Sequence, residues 1–209
     1  MKMACWHRLI FPIIGNFLLA SSHAVELELA QSHDQLIFLN SGEWKTGEVL
    51  GEMALILDVP GKQRPPVRRP TEFALLKSEN PIGEFAVKAA TLMPDEVKNR
   101  DICLIFGYQD QTHFYYAHIS SNSDNKYHNI IMRVDGERRA RINREENPEP
   151  RLSKGWKTIR VVHSGGGSIQ VFVDDMEQPL MTAQDKTYPV GKIGFGAFDD
   201  RAAFLTLKY

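Results

Sequence analysis

Cysteine is nearly missing from the chain: Cys5 and Cys103 are the only two among 209 residues. Cys5 falls within a basic opening, MKMACWHR, ahead of the apolar run LIFPIIGNFLLA. That run is too short to cross a bilayer as a helix, which takes roughly 20 apolar residues, and Pro12 and Asn16 interrupt it. With small residues following at Ser22-His23-Ala24, the pattern is that of a secretory signal peptide over 1–24, cut near Ala24. The expected product is secreted or periplasmic, has no membrane span after cleavage and cannot form an internal disulfide. Its stability must come from packing. Cys5 lies ahead of the apolar run and not at the cleavage junction, where a lipoprotein cysteine would stand, so no lipid anchor is expected.

An excess of one charge is also missing. Loss of Lys2 and Arg8 takes the 25 basic residues to 23 against 26 acidic ones, a formal charge of −3 with no sustained basic block. Nucleic acid is therefore excluded as an expected partner. No EF-hand loop is present. The glycines of Ser164-Gly165-Gly166-Gly167-Ser168 are followed by neither Gly-Lys-Ser nor a helix, so they read as a hairpin turn and not as a phosphate cradle. No long helical pattern occurs. Residues 25–209 are enough for one domain with one substantial core.

What is present is alternation. Residues 100–133, RDICLIFGYQDQTHFYYAHISSNSDNKYHNIIMR, hold three strand-like runs separated by polar turns, a β-meander. If the turn over 121–125 is symmetric, positions whose numbers sum to about 246 face each other, and His118 stands opposite His128. Segments 35–40 and 43–49 suggest a first strand pair, and 54–58 another strand. The stretch 60–70, with four prolines and four basic residues, reads as an exposed, semi-rigid loop. Residues 72–77 and 84–92 alternate again, and 93–99 offers one helical turn with Pro94 at its start. Strands at 137–142, 157–163, 169–173, 179–182, 191–198 and 203–208 complete the count. Trp156, Val161, Val171, Ile193 and Phe195 are expected in the core, and Cys103, between Ile102 and Leu104, is read as a small core residue. About a dozen short strands at this spacing predict an all-β, two-sheet antiparallel sandwich.

Three stretches carry a family resemblance: Trp156-Lys-Thr-Ile-Arg-Val-Val; Ile169-Gln-Val-Phe-Val-Asp-Asp with Pro179-Leu; and Gly191-Lys-Ile-Gly-Phe-Gly-Ala-Phe-Asp-Asp-Arg-Ala-Ala-Phe. Together with Phe106-Gly-Tyr-Gln-Asp and Phe114-Tyr-Tyr-Ala-His, they resemble concanavalin A-like lectin/glucanase domains, including laminin-G-like modules and bacterial keto-disaccharide hydrolase domains. The resemblance covers most of 72–209 and implies a jelly-roll sandwich whose curved sheet binds sugars or carries a glycosidase site. The paired-carboxylate spacing of laminarinase-type glucanases, Glu-x-Asp-x-x-Glu or Glu-x-Asp-x-Glu, does not occur here. No catalytic residue carries over.

The meander concentrates Tyr108, Asp110, His113, Tyr116, His118, Asp124, His128 and Arg133. Flat amphipathic rings with polar tips suit sugar stacking and hydroxyl recognition. The candidate ligand-binding residues are Tyr116, His118, His128 and Arg133, with His113 and Asp110 at the edge. The alternative is that these residues form a satisfied sandwich face and that the aspartates make turns. His118 and His128 are also the candidates for general acid/base catalysis in a hydrolase, and with Asp124 for a transition metal. No cofactor is expected to be required. Asp174, Asp175, Asp199 and Asp200 could supply oxygens to Ca2+, as in some laminin-G-like relatives, or could simply be turn residues. The expected function is carbohydrate binding, with glycoside or 3-keto-disaccharide hydrolysis as the alternative.

Overall fold

Alternating side chains leave a strand with one apolar face to bury, and two such sheets can satisfy each other. A computed structural model describes residues 24–39, 42–61, 67–70, 72–78, 83–124 and 126–209. The expected signal segment, with Cys5, and the middle of the Pro-rich loop at 62–66 lie outside the described residues. In chain order the strands are β1 Glu26–Glu28, β2 Leu36–Leu39, β3 Glu43–Val49, β4 Glu52–Val59, β5 Glu72–Leu76, β6 Glu84–Thr91, β7 Asp101–Asp110 and β8 His113–Ser120. They continue with β9 Ile130–Asp135, β10 Arg138–Arg141, β11 Lys157–His163, β12 Ser168–Val173, β13 Met181–Gln184, β14 Lys192–Ala197 and β15 Ala202–Lys208.

One sheet runs β13-β12-β11-β6-β15-β4-β3, with β1 added on β15; the other runs β10-β9-β8-β7-β14-β5-β2. Every named pairing is antiparallel. The chain is a two-sheet antiparallel β-sandwich. Between the sheets lies a core that includes Leu55, Leu57, Val87, Leu104, Phe106, Tyr115, Val161, Val171, Ile193, Phe195 and Phe204. Four of the five expected core residues are buried there, at 0–1 % exposure. Trp156 is the exception. It is half-buried and packs against a separate small cluster around Val49, Ile56 and Leu205.

The seven-stranded sheet is apolar on its outward face too. Phe73, Cys103, Ile105, Phe114, Tyr116 and Met132 form a second cluster there, against which Val67 of the Pro-rich stretch packs. Arg69 and Pro70 are buried as well, so this end of the expected exposed loop belongs to the packed structure. Two other expectations are corrected. Segments 35–40 and 43–49 do not pair: β2 joins β5 while β3 joins β4. The β3–β4 hairpin closes through Leu50 and Gly51, with φ of 51° and 82°, the backbone of a type I′ turn. At 93–99 there is no helix, only a turn closed by Val97 N–H donating to Pro94 O at 3.1 Å.

The meander register also differs. His118 faces Ile130 and Tyr116 faces Met132, so paired numbers sum to 248. Asn129 is the reason. Fully buried with φ 50°, it accepts the Ser120 N–H on Oδ1 and donates from Nδ2 to Ser120 O, Asn122 O and Ser123 Oγ. These bonds close a longer loop than the symmetric turn and keep His128 outside the strand.

Candidate functional site

At the end of the seven-stranded sheet where β7 begins and β8 finishes, a cleft of about 490 Å³ opens. Its floor and walls come from Asp101 at the start of β7, His118 on β8, Tyr127 and His128 in the β8–β9 loop, Arg139 on β10 and Phe198, Asp199 and Asp200 just after β14. Val97, Asn99 and Arg68 complete the rim. Alternation explains the first two: Asp101, Cys103 and Ile105 share the outward face of β7, as Tyr116 and His118 do on β8.

His118 is 5 % exposed. Its Nδ1 lies 2.5 Å from the Tyr127 carbonyl oxygen, which can only accept, so Nδ1 carries the proton. Nε2 stands 3.2 Å from Asp101 Oδ2, yet without hydrogen-bond alignment it has no hydrogen-bond partner. The Phe198 ring lies 4.9 Å from the His118 ring and the His128 ring 5.5 Å, so three flat groups share one wall. Asp200, 6 % exposed, accepts the Asp101 N–H at 2.6 Å. Burial, then the Asp101 and Asp199 carboxylates, push its carboxyl up to about 7. Asp199 is open to solvent and 3.6 Å from Arg68, whose guanidinium lies over the Phe198 ring. Arg139 lies over the Tyr127 ring and donates to Tyr116 Oη at 3.2 Å.

His118, His128, Asp199 and Asp200 are thus brought together, though the histidines meet through the loop and not as a cross-strand pair. Tyr116 is fully buried beneath the cleft, where burial raises its phenol well above the ordinary value. Arg133, opposite Tyr115, pairs with Asp185 at 2.6 Å; Asp185 also accepts the Tyr115 hydroxyl at 2.6 Å, a network at the edge of the inner face. His113 and Asp110 bond each other at the β7–β8 hairpin, and from His113 to His118 is about 17 Å of strand. Asp174 and Asp175 organise the turn after β12: Asp174 accepts the Thr158 N–H, and Asp175 accepts those of Glu177 and Gln178. Neither lines the cleft. Asp101, Phe198, Arg139 and Tyr127 were not singled out from the sequence. For Asp101 a signal existed, since an aspartate opening an alternating apolar strand falls on the same face as Cys103.

Asp124 holds the loop that presents His128. Its Oδ1 accepts the N–H groups of Lys126, Tyr127 and His128, and its Oδ2 meets His128 Nδ1 at 2.6 Å. Burial pushes the carboxyl up, but these bonds outweigh it and leave its pKa at about 2, against an ordinary 3.8. A depressed carboxyl stabilises the fold above the unfolded value and loses that contribution as pH falls through the folded one. With the side chain 36 % exposed, solvent screening reduces the expected contribution to about 1 kcal/mol. Urea unfolding of the parent and Asp124→Asn should differ by that amount at pH 7 and converge near pH 2. A gap that persists at pH 2 would show that the ionised carboxylate is not the source.

No family model matches the chain, and no curated protein matches it in sequence. Solved structures do match in fold. A carbohydrate-binding module, CBM66 from Bacillus subtilis, superposes with a TM-score of 0.58 at 14% identity, covering 82% of this chain and 92% of that one. The Crh5 transglycosylase in complex with NAG superposes with a TM-score of 0.53 at 7% identity, covering 88% and 82%. Identities this low establish a shared sandwich fold and nothing about activity.

Proposed function

We propose that the chain is a carbohydrate-binding, lectin-like sandwich whose ligand enters the cleft at the Asp101 end of the seven-stranded sheet. The observation that carries the reading is the lining itself. Exposed Tyr127, with Phe198 and the two imidazoles, offers flat apolar faces. Asn99, Arg68, Arg139 and the carboxylates provide donors and acceptors around them, which is the combination a polyhydroxylated ring requires. The volume falls within the range of small-ligand pockets. The fold is shared with a structure described as a carbohydrate-binding module and with a transglycosylase bound to NAG, which agrees with this reading. Sugar binding here requires no metal.

The expected setting is secretion or a periplasm, supported by the basic and then apolar opening of the sequence. Among the described residues no helix is long and apolar enough to cross a membrane. A second reading, glycoside or keto-disaccharide hydrolysis, is favoured by the carboxylates and imidazoles that share the wall. The named structures give the laminin-G-like branch of the resemblance no support.

A glycan array followed by titration of the best sugar, in buffer containing EDTA, tests the proposal. Tyr127→Ala and Arg139→Ala should each raise Kd about 10-fold, the equivalent of ~1.4 kcal/mol, with an unchanged circular dichroism spectrum. Both variants binding like the parent would remove the cleft from consideration. Release of smaller sugars over hours, abolished in His118→Ala, would favour hydrolysis over binding alone.

A further inference from the structure

The rim of the cleft holds an arginine that is fixed in place and lacks a counterion. Arg139, half-buried on the edge strand β10, lays its guanidinium over the Tyr127 ring at 5.7 Å and donates from Nη1 to Tyr116 Oη at 3.2 Å. Both contacts are to neutral groups, and among the described residues no carboxylate pairs with it. An arginine taken partly out of water without an acid beside it is unusual, because the guanidinium forfeits hydration and gains no ion pair in return.

Two more cations stand around the same opening. Arg68 lies over the Phe198 ring at 5.7 Å and meets Asp199 at 3.6 Å, beyond ordinary hydrogen-bond length. Lys126 Nζ lies 5.7 Å from the Tyr127 ring. Among the described residues Asp199 is the one carboxylate that pairs with any of the three. Tyr116 shows that the two arginines converge. Burial raises its phenol, and Arg139 and Arg68 both act against that rise, so both guanidiniums lie near one hydroxyl. That hydroxyl, fully buried, holds Arg139 from beneath and leaves the rest of its planar fork free.

The floor has the opposite character. Asp101 and Asp200 are buried; Asp200 accepts the Asp101 N–H at 2.6 Å and Asp101 accepts the Phe198 N–H at 3.4 Å. Their remaining lone pairs suit the hydroxyl protons of a sugar ring, whereas unpaired guanidiniums suit an acid, which takes parallel charge-assisted bonds from such a fork. A neutral sugar answers only the first need.

We propose that the cleft selects an acidic sugar, one carrying a carboxylate or a sulfate, whose anionic group is held by Arg139 and Arg68 while its hydroxyls meet the floor. Tyr116 is a positioning residue for Arg139. The proposal rests on the reading of this cleft as the sugar site, and it adds the charge of the ligand.

The test compares matched pairs by titration calorimetry: an oligogalacturonate against its carboxyl-reduced form, and a sulfated galactan oligosaccharide against its desulfated form. The acidic member of at least one pair should bind about 10-fold more tightly, and which pair shows the preference identifies the acid. Raising NaCl from about 50 to about 500 mM should weaken the acidic member and leave the neutral one nearly unaffected. Arg139→Gln and Arg68→Gln should each bring the preference below about 3-fold, and Tyr116→Phe should lower it too, an effect that loss of stability alone would not have on a ratio. Neutral members that bind as tightly as the acidic ones, or a preference that survives both arginine substitutions, would overturn the proposal and leave sugar binding standing. Absence of binding to either member of both pairs and to the glycan array would overturn the sugar reading and this proposal together. If a variant fails to fold, the preference of the parent and its salt dependence still decide.

Discussion

Phe195→Ala should lower the stability of the chain by about 3–5 kcal/mol, the loss typical of a fully enclosed aromatic ring. Phe195 is 0 % exposed on β14, the strand between β7 and β5, and it points between the two sheets. Its ring centroid lies 4.6 Å from that of Phe204 on the opposite sheet and 6.2 Å from that of Trp44. Alanine would remove the group that bridges the layers, and β strands fixed on both sides by ladder bonds cannot close the gap by moving together. At roughly 2–4 °C per kcal/mol for a chain of this size, the melting temperature should fall by about 6–20 °C. A loss below ~1 kcal/mol in urea unfolding would mean that the side chain does not occupy the inter-sheet layer.

The layering was legible because it rests on period-two alternation, which places Ile193, Phe195 and Ala197 on one side of β14 whatever the strand pairs with. Pairing was less so. The sheet partners of β2 and β3 depend on which apolar faces meet across the sandwich and on the Leu50-Gly51 backbone, and alternation is silent on both. A turn built from Ser, Asn and Asp announces that the chain reverses, but the register depends on a single side chain. Asn129 closes the β8–β9 loop from inside with four hydrogen bonds, and no count of polar residues reveals that.

The same reasons explain which site residues could be read. His118 was accessible because aromatic and titratable groups crowd the meander. Asp101 lies 17 positions earlier and reaches His118 only through the β7–β8 register, while Phe198, Asp199 and Asp200 arrive from β14, which neighbours β7 by a long-range pairing. Arg133 carried the right chemistry and the wrong parity: its position opposite Tyr115 sends it to Asp185. Aspartate pairs look alike in sequence, yet Asp174-Asp175 bond backbone N–H groups in a turn whereas Asp199-Asp200 meet a third carboxylate across strands.

Gly196→Ala should be nearly as damaging as loss of the Phe195 ring, although it adds one methyl group. Gly196 lies on β14 opposite Phe73 on β5 and Cys103 on β7, so both its neighbours are fixed by the ladder. A Cβ there would stand 2.1 Å from the Glu72 carbonyl oxygen and 2.7 Å from Phe73 Cα. The obstructing atoms include backbone, so no rotamer change relieves the clash; β14 and β5 must separate, with weakening of their hydrogen bonds. Overpacking of this kind costs about 3 kcal/mol, a fall of roughly 6–12 °C in melting temperature. Gly165→Ala serves as the control. No atom lies within 4 Å of a Cβ at that exposed turn, and its stability should change by no more than about 0.5 kcal/mol. Because Phe198, Asp199 and Asp200 follow directly from β14, displacement of its end should also weaken sugar binding in the cleft at temperatures where Gly196→Ala remains folded. A variant that melts within 2 °C of the parent would show that β14 and β5 do not approach as closely as the ladder requires.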